Sequence, residues 1–225
     1  GRANMKAILR IIFLFTSVFA FWSLRAHDSI PGPKQSVPIL LKNGSIHTVS
    51  NGTLSNSDLL FENGKITAIG SKLDVPKNAR IIDLKGKRVY PGFISSNSTL
   101  GLVEIDAVRA TRDFSEAGSL NPNAHSATAI NPDSELIPVT RANGVLTSHV
   151  LPQGGLISGS SAIISLEGWT IEEMALEREA GIHIRWPRSP SAPGFHPDSA
   201  SVYNDTKAEE KYQENLRKLD TVIDE

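Results

Sequence analysis

The sequence predicts a mixed fold in which a group of short β-strands precedes strands that alternate with helices. Two observations support this prediction. Between residues 38 and 90, short apolar runs are separated by Asn-Gly pairs, which tolerate positive φ and favour tight turns. Beyond residue 93, apolar runs alternate with helix signals, a pattern typical of βα units and a parallel sheet.

The first group of strands is predicted to be a β meander. Its turns are expected at Asn43-Gly44, Asn51-Gly52, Asn63-Gly64 and Lys85-Gly86. The predicted strands are Pro38–Leu41, Ser45–Val49, Asp58–Glu62, Lys65–Ile69, Arg80–Asp83 and Arg88–Tyr90. A sheet of this size has an apolar face that a second layer must cover.

The second group begins with an apolar strand at Phe93 and Ile94. The segment from Leu102 to Asp133 has little periodicity, and such long loops are usually functional or mobile. Strands are then predicted at Val145–Val150, Leu156–Ser158, Ser161–Leu166 and Ile182–Trp186. Helices are predicted from Pro138 to Asn143-Gly144, from the capping box Thr170–Glu173 to Gly181, and from about Asn204 to Glu225. The last helix carries an apolar stripe of Tyr212, Leu216, Leu219 and Ile223, with no predicted partner.

The N-terminal segment differs from the rest of the chain. Lys6 and Arg10 precede a fourteen-residue apolar run, Ile11–Leu24, and Ala26 offers a small-residue cleavage position. This pattern is typical of a secretory signal peptide, with a membrane anchor or a buried helix as the alternative. It predicts a leader over residues 1–26 and a periplasmic or secreted product that is not in the membrane after cleavage.

The composition excludes several classes of function. The chain has no Cys, which removes disulfides, thiolate metal sites and cysteine nucleophiles. It has 23 basic and 24 acidic residues among 225, so no basic excess indicates a nucleic-acid partner. There is no Gly-x-Ser-x-Gly motif, which argues against serine-hydrolase chemistry.

Four motifs are informative together: Leu41–Gly44, Glu62–Gly70, Val89–Ile94 and, more loosely, Ala142–Thr147. They resemble the amidohydrolase superfamily, in particular imidazolonepropionase-like metal-dependent hydrolases. The resemblance implies that residues 27–92 contribute strands to a β-sandwich and that residues 93–225 form the first half of a (β/α)₈ TIM-type barrel. Such a barrel takes about 250 residues, whereas residues 93–225 provide 133. We therefore expect an incomplete barrel and a chain that is part of a larger protein.

The same resemblance implies a divalent metal such as zinc, held partly by a His-x-His pair at the end of the first barrel strand. In this sequence Asn97 and Thr99 occupy those two positions, and Ser95 replaces the acid that usually precedes them. Amide and hydroxyl oxygens are poor zinc ligands compared with imidazole. The alternatives are a different or single-metal site and a degenerate site without chemistry.

No two of the six histidines are paired at metal-ligand spacing in the sequence. His149, near the end of a predicted strand, is the candidate metal ligand or acid–base group, with a hydrogen-bonded structural role as the alternative, and His183 has the same two interpretations. His125 and His196 are expected to be solvated, and His47 structural. The remaining candidates are Glu104 and Asp106, placed on one strand face, and the Gly-rich segment Gly154–Ser160, predicted to be a tight turn that could line a pocket.

Two functions remain open. The first is an exported hydrolase of non-peptide C–N bonds that acts on a small amide or cyclic amide through a metal-activated water and is inactive as this fragment. The second is a non-catalytic exported binding or scaffold module with a degenerate metal site. The substitutions at Asn97 and Thr99 favour the second, and the motifs as a group favour the first.

Overall fold

The computed structural model describes residues 31–189 and 206–224. The predicted leader, His27, His196 and most of the Pro-rich segment lie outside the described residues. Two sheets and a few short helices make up the described part, in agreement with the predicted mixed class. None of the described helices is long and apolar enough to cross a membrane.

The first sheet has five strands. They are β1 (Ile39–His47), β2 (Thr53–Glu62), β3 (Lys65–Gly70), β4 (Arg80–Asp83) and β5 (Arg88–Val89). The strand order is β3-β2-β1-β4, and β5 also pairs with β1. The β1/β2 and β2/β3 pairs are antiparallel, whereas β4 and β5 run parallel to β1. The prediction of a simple meander is therefore wrong for the last two strands, because residues 71–79 carry the chain back before β4 begins.

The turn at Asn63-Gly64 is confirmed, since both residues have positive φ, 51° and 72°. The turn expected at Asn43-Gly44 is wrong, because β1 continues through it. Asn43 has φ 56°, and the register with β2 shifts at Gly44, which makes this pair a β-bulge. Positive φ therefore serves a bulge at one Asn-Gly pair and a hairpin at another.

The second sheet has the order β6-β7-β8-β9. Its strands are β6 (Phe93–Ser98), β7 (Val145–Val150), β8 (Ile157–Ser165) and β9 (Ala175–Ile184). Only β6 and β7 are parallel; β7/β8 and β8/β9 are antiparallel. The predicted parallel sheet is therefore limited to one strand pair.

In the part of the chain that the structure describes, four α-helices and one 3₁₀ helix, Arg109–Thr111, accompany the sheets. The α-helices are α1 (Ser126–Ala129), α2 (Leu136–Ala142), α3 (Ile171–Met174) and α4 (Thr206–Ile223). The short helix that ends at Asn143-Gly144 is confirmed as α2, with Gly144 at φ 90°. The helix predicted to run to Gly181 is wrong, because α3 stops at Met174. Residues 175–180 favour helices by composition, but β8 pairs with them and this tertiary pairing overrides the local preference.

One core lies on the face of the second sheet that carries Val150, Ala162 and Ile164. These side chains are 0% exposed and pack with Leu102, Ala127, Ile130, Ile137, Leu166 and Met174. A smaller cluster joins α4 to the N-terminal end of β8, because Leu219 is fully buried against Leu156 and Ile157. The expectation of a helix without a partner is therefore wrong, although Ile223, from the same predicted stripe, is 58% exposed.

Candidate functional site

The carboxyl ends of β6 and β7 lie side by side at one edge of the second sheet. Ser98 pairs with Val150, and the Leu151 N–H donates to the Ser98 carbonyl oxygen at 2.9 Å. Two loops leave from this edge, residues 99–125 after β6 and residues 151–156 after β7. Loops at the carboxyl ends of neighbouring parallel strands are the usual place for a ligand site in α/β proteins.

Asn97 and Thr99 lie at this edge, as the sequence predicted. Asn97 is the penultimate residue of β6 and is exposed, and Thr99 follows the strand and is half-buried. Within residues 31–189 and 206–224, no three His, Asp or Glu side chains are grouped closely enough to hold a metal ion. A neutral amide and a hydroxyl, without a third strong donor beside them, do not fit the zinc site that the resemblance implies.

His149 and His183 are brought together by the sheet, although 33 residues separate them in the sequence. Their ring centroids are 5.7 Å apart and the rings are tilted by 58°. Nε2 of His149 lies 2.7 Å from the hydroxyl oxygen of Ser161, a fully buried residue of β8. Partial burial, and then the neighbouring His149, hold the pKa of His183 below its ordinary value.

His125 is partly solvated, with its side chain 39% exposed, and it also has two polar partners. Its Nδ1 lies 3.0 Å from the Ser160 hydroxyl and 3.4 Å from a Glu179 carboxylate oxygen. Both contacts use the same ring nitrogen, whereas a Ser-His-acid triad needs the serine and the acid on opposite nitrogens. This group therefore ties the loop to β8 and β9 and does not activate Ser160 as a nucleophile.

The other candidates have local structural contacts. Glu104 and Asp106 lie in the loop rather than on a strand: Glu104 accepts a hydrogen bond from Asn131, and Asp106 pairs with Arg112. His47 stacks on Tyr90 with centroids 4.3 Å apart, which agrees with its expected structural role. The Gly-rich segment turns at Gly154-Gly155, where both φ angles are positive, and then enters β8.

A cleft of about 380 Å³ opens beside this edge, and the sequence did not identify most of its lining. Its polar lining consists of Asp113, Ser115, Glu116, Asn121, Asn123, His125, Ser126, Thr128 and Ser158. Most of these residues come from the long loop that the sequence marked as functional or mobile. The volume lies in the range of small-molecule sites.

Comparisons with known proteins agree with the resemblance. No family model matches the chain. It is 30% identical over 152 residues to a dihydroorotase of Syntrophus aciditrophicus, which covers 64% of this chain and 34% of that protein. It is also 30% identical over 111 residues to the amidohydrolase tasK of Hapsidospora irregularis, which covers 48% of this chain and 11% of that protein.

A solved structure gives the same result. An amidohydrolase from Thermotoga maritima MSB8 superposes with a TM-score of 0.61 and 27% identity, over 65% of this chain and 38% of that one. These similarities support the amidohydrolase superfamily for this chain, which matches the N-terminal portion of those relatives. It spans about a third of the length of the dihydroorotase that it matches.

Proposed function

We propose that this chain is the N-terminal part of an exported hydrolase that acts on a non-peptide C–N bond of a small amide or cyclic amide. The observation that carries this proposal is the match to a dihydroorotase over 64% of the chain. The name of that relative indicates dihydroorotate as its substrate, and dihydroorotate contains ring amide bonds. We therefore propose a small amide or cyclic amide as the substrate class for this chain. Residues 27–92 would contribute to a β-sandwich, and residues 93–225 to a barrel that other residues complete.

In this proposal the described residues contribute to substrate binding rather than to the hydrolytic step. The cleft of about 380 Å³ has room for a small ring compound. It offers neutral amide and hydroxyl groups, among them Asn121, Asn123 and Thr128, beside the carboxylates of Asp113 and Glu116. Such groups can donate and accept hydrogen bonds to the C=O and N–H groups of a cyclic amide. Because Asn97 and Thr99 do not fit a zinc ion, no hydrolytic step is assigned to them.

The alternative is an exported binding or scaffold module without catalysis. The absence of imidazole at positions 97 and 99 favours it. The two functions share the cleft, and they differ in whether a bound amide is cleaved.

Assays of the protein made from the complete natural reading frame separate the two functions. Dihydroorotate and hydantoin would be incubated with the purified protein, and the loss of each would be followed by chromatography. The hydrolase proposal predicts turnover that falls when Asn123→Ala removes an amide from the cleft, with Asn51→Ala as the control on an exposed loop. Saturable binding of these compounds without cleavage would overturn the hydrolase and support the binding module.

Export is tested separately, because it depends only on the leader. Expressed in a bacterium with its own N-terminus, the protein is expected in the periplasm with cleavage near Ala26. An intact N-terminus on a cytoplasmic product would contradict the proposed export.

A further inference from the structure

His149 of β7 and His183 of β9 form a histidine pair that lies over β8, the strand between them. Neighbouring strands are about 4.8 Å apart, so the backbones of β7 and β9 are separated by about twice that distance. The rings nevertheless approach to 5.7 Å between centroids. They can do so because His183 is paired with Gly159, which has no side chain, and because Ser161, two residues further along β8, has a small one.

The hydrogen bonds of Ser161 fix the state of His149. The Ser161 hydroxyl donates to the carbonyl oxygen of Gly181 at 3.2 Å. Its oxygen is then free to accept the N–H of His149 Nε2 at 2.7 Å. This arrangement leaves the lone pair of the imidazole on Nδ1. Metal-binding histidines commonly have this arrangement, in which the ring nitrogen away from the ion donates a hydrogen bond.

His183 is suited to the same role. Its half-buried imidazole faces that of His149 over β8, with the ring centroids 5.7 Å apart. Neutral imidazole is the form that binds zinc, copper and nickel.

We propose that His149 and His183 form a two-imidazole binding site for a divalent transition metal, with zinc as the representative ion. Tetrahedral zinc with Zn–N distances of about 2.0–2.1 Å places two bound imidazole centroids roughly 5 Å apart, close to the 5.7 Å between these two rings. Water or an anionic ligand would complete the coordination. The site lies on β7 and β9 and uses neither Asn97 nor Thr99, although Asn97 lies on the neighbouring strand β6. The proposal does not depend on the hydrolase function.

Zinc titration of the full 225-residue chain tests the proposal. Calorimetry is expected to give one ion per chain at this site, and affinity is expected to fall at least tenfold in His149→Gln and in His183→Gln. The matched control His47→Gln removes an imidazole that stacks on Tyr90 in the first sheet, and it is expected to leave the affinity unchanged. Ser161→Ala removes only the orienting hydroxyl, and a loss of about 10- to 100-fold is expected.

A second measurement does not rely on variants that fold. In NMR spectra of the unchanged chain, zinc is expected to shift the imidazole resonances of His149 and His183 together and to leave those of His47 in place. Zinc affinity unchanged in the variant that carries both His149→Gln and His183→Gln would overturn the proposal. Imidazole resonances of the pair that do not move at saturating zinc would overturn it as well.

Discussion

Replacing Asp58 by Ala is expected to destabilise the first sheet strongly. Asp58 is only 3% exposed, and its carboxylate accepts two backbone N–H groups, from Asn43 at 3.0 Å and from Leu73 at 3.2 Å. The first bond holds the bulge in β1, and the second holds the loop that follows β3. Hydrogen bonds to a charged group contribute about 1.5–3 kcal/mol each, so the loss of both predicts a cost of about 3 kcal/mol or more.

A conservative variant separates the contributions of the two hydrogen bonds to the free energy of unfolding. Asp58→Asn keeps one oxygen acceptor but turns an N–H₂ group toward a backbone donor, and we expect it to lose about half as much stability as the alanine variant. Urea unfolding of the full chain, followed by circular dichroism, gives each free energy of unfolding. Asp74→Ala is the control, because Asp74 is exposed in the neighbouring loop and its loss is expected to change stability by less than about 0.5 kcal/mol. Equal urea midpoints for Asp58→Ala and Asp74→Ala would refute the reasoning.

Three further predictions follow from packing, backbone conformation and charge. Leu219→Ala is expected to cost about 2–5 kcal/mol because the side chain is fully buried, whereas Ile223→Ala, 58% exposed, is expected to cost much less; equal urea midpoints would contradict the docking of α4. Gly159→Ala is expected to destabilise the protein by about 2 kcal/mol or more, because φ is 121° and a Cβ atom would lie 2.5 Å from a backbone carbonyl oxygen. Gly181→Ala is the control, because a Cβ atom there meets nothing within 4 Å. Similar thermal midpoints for the two variants would be evidence against this packing. Folding lowers the pKa of His183, so the unfolded chain binds more protons than the folded chain. The free energy of unfolding is therefore expected to fall as the pH drops below about 6.5, and to fall less in His183→Gln. Parallel profiles of unfolding free energy against pH for the two proteins would disprove this contribution.

The sequence predicts individual strands well where periodicity and turn residues agree. Val145–Val150 matches β7 from end to end, and Lys65–Ile69 matches β3 except for its last residue. Partner choice is not encoded locally, so the parallel pairing of β4 with β1 could not be predicted. The same limit explains β9, where residues with helical preference form a strand because β8 supplies the hydrogen bonds.

In the candidate site too, local features could be predicted from the sequence, whereas contacts between distant residues could not. Asn97 and Thr99 lie at the end of β6, where the resemblance of Val89–Ile94 to the amidohydrolase motif places them. The pairing of His149 with His183 needs β8 between them, and no sequence spacing indicates it. The cleft lining comes mainly from a loop without periodicity, where the sequence predicts an irregular segment but not which side chains converge.

The central claim is that Asn97 and Thr99 do not supply donors for the zinc centre that the amidohydrolase resemblance implies at positions 97 and 99. Hydrolysis of dihydroorotate by the purified 225-residue chain, with and without added zinc, tests it most directly. We predict no turnover above that of zinc in buffer, even when zinc is bound at His149 and His183. Zinc-dependent turnover that is abolished by Asn97→Ala would contradict the claim.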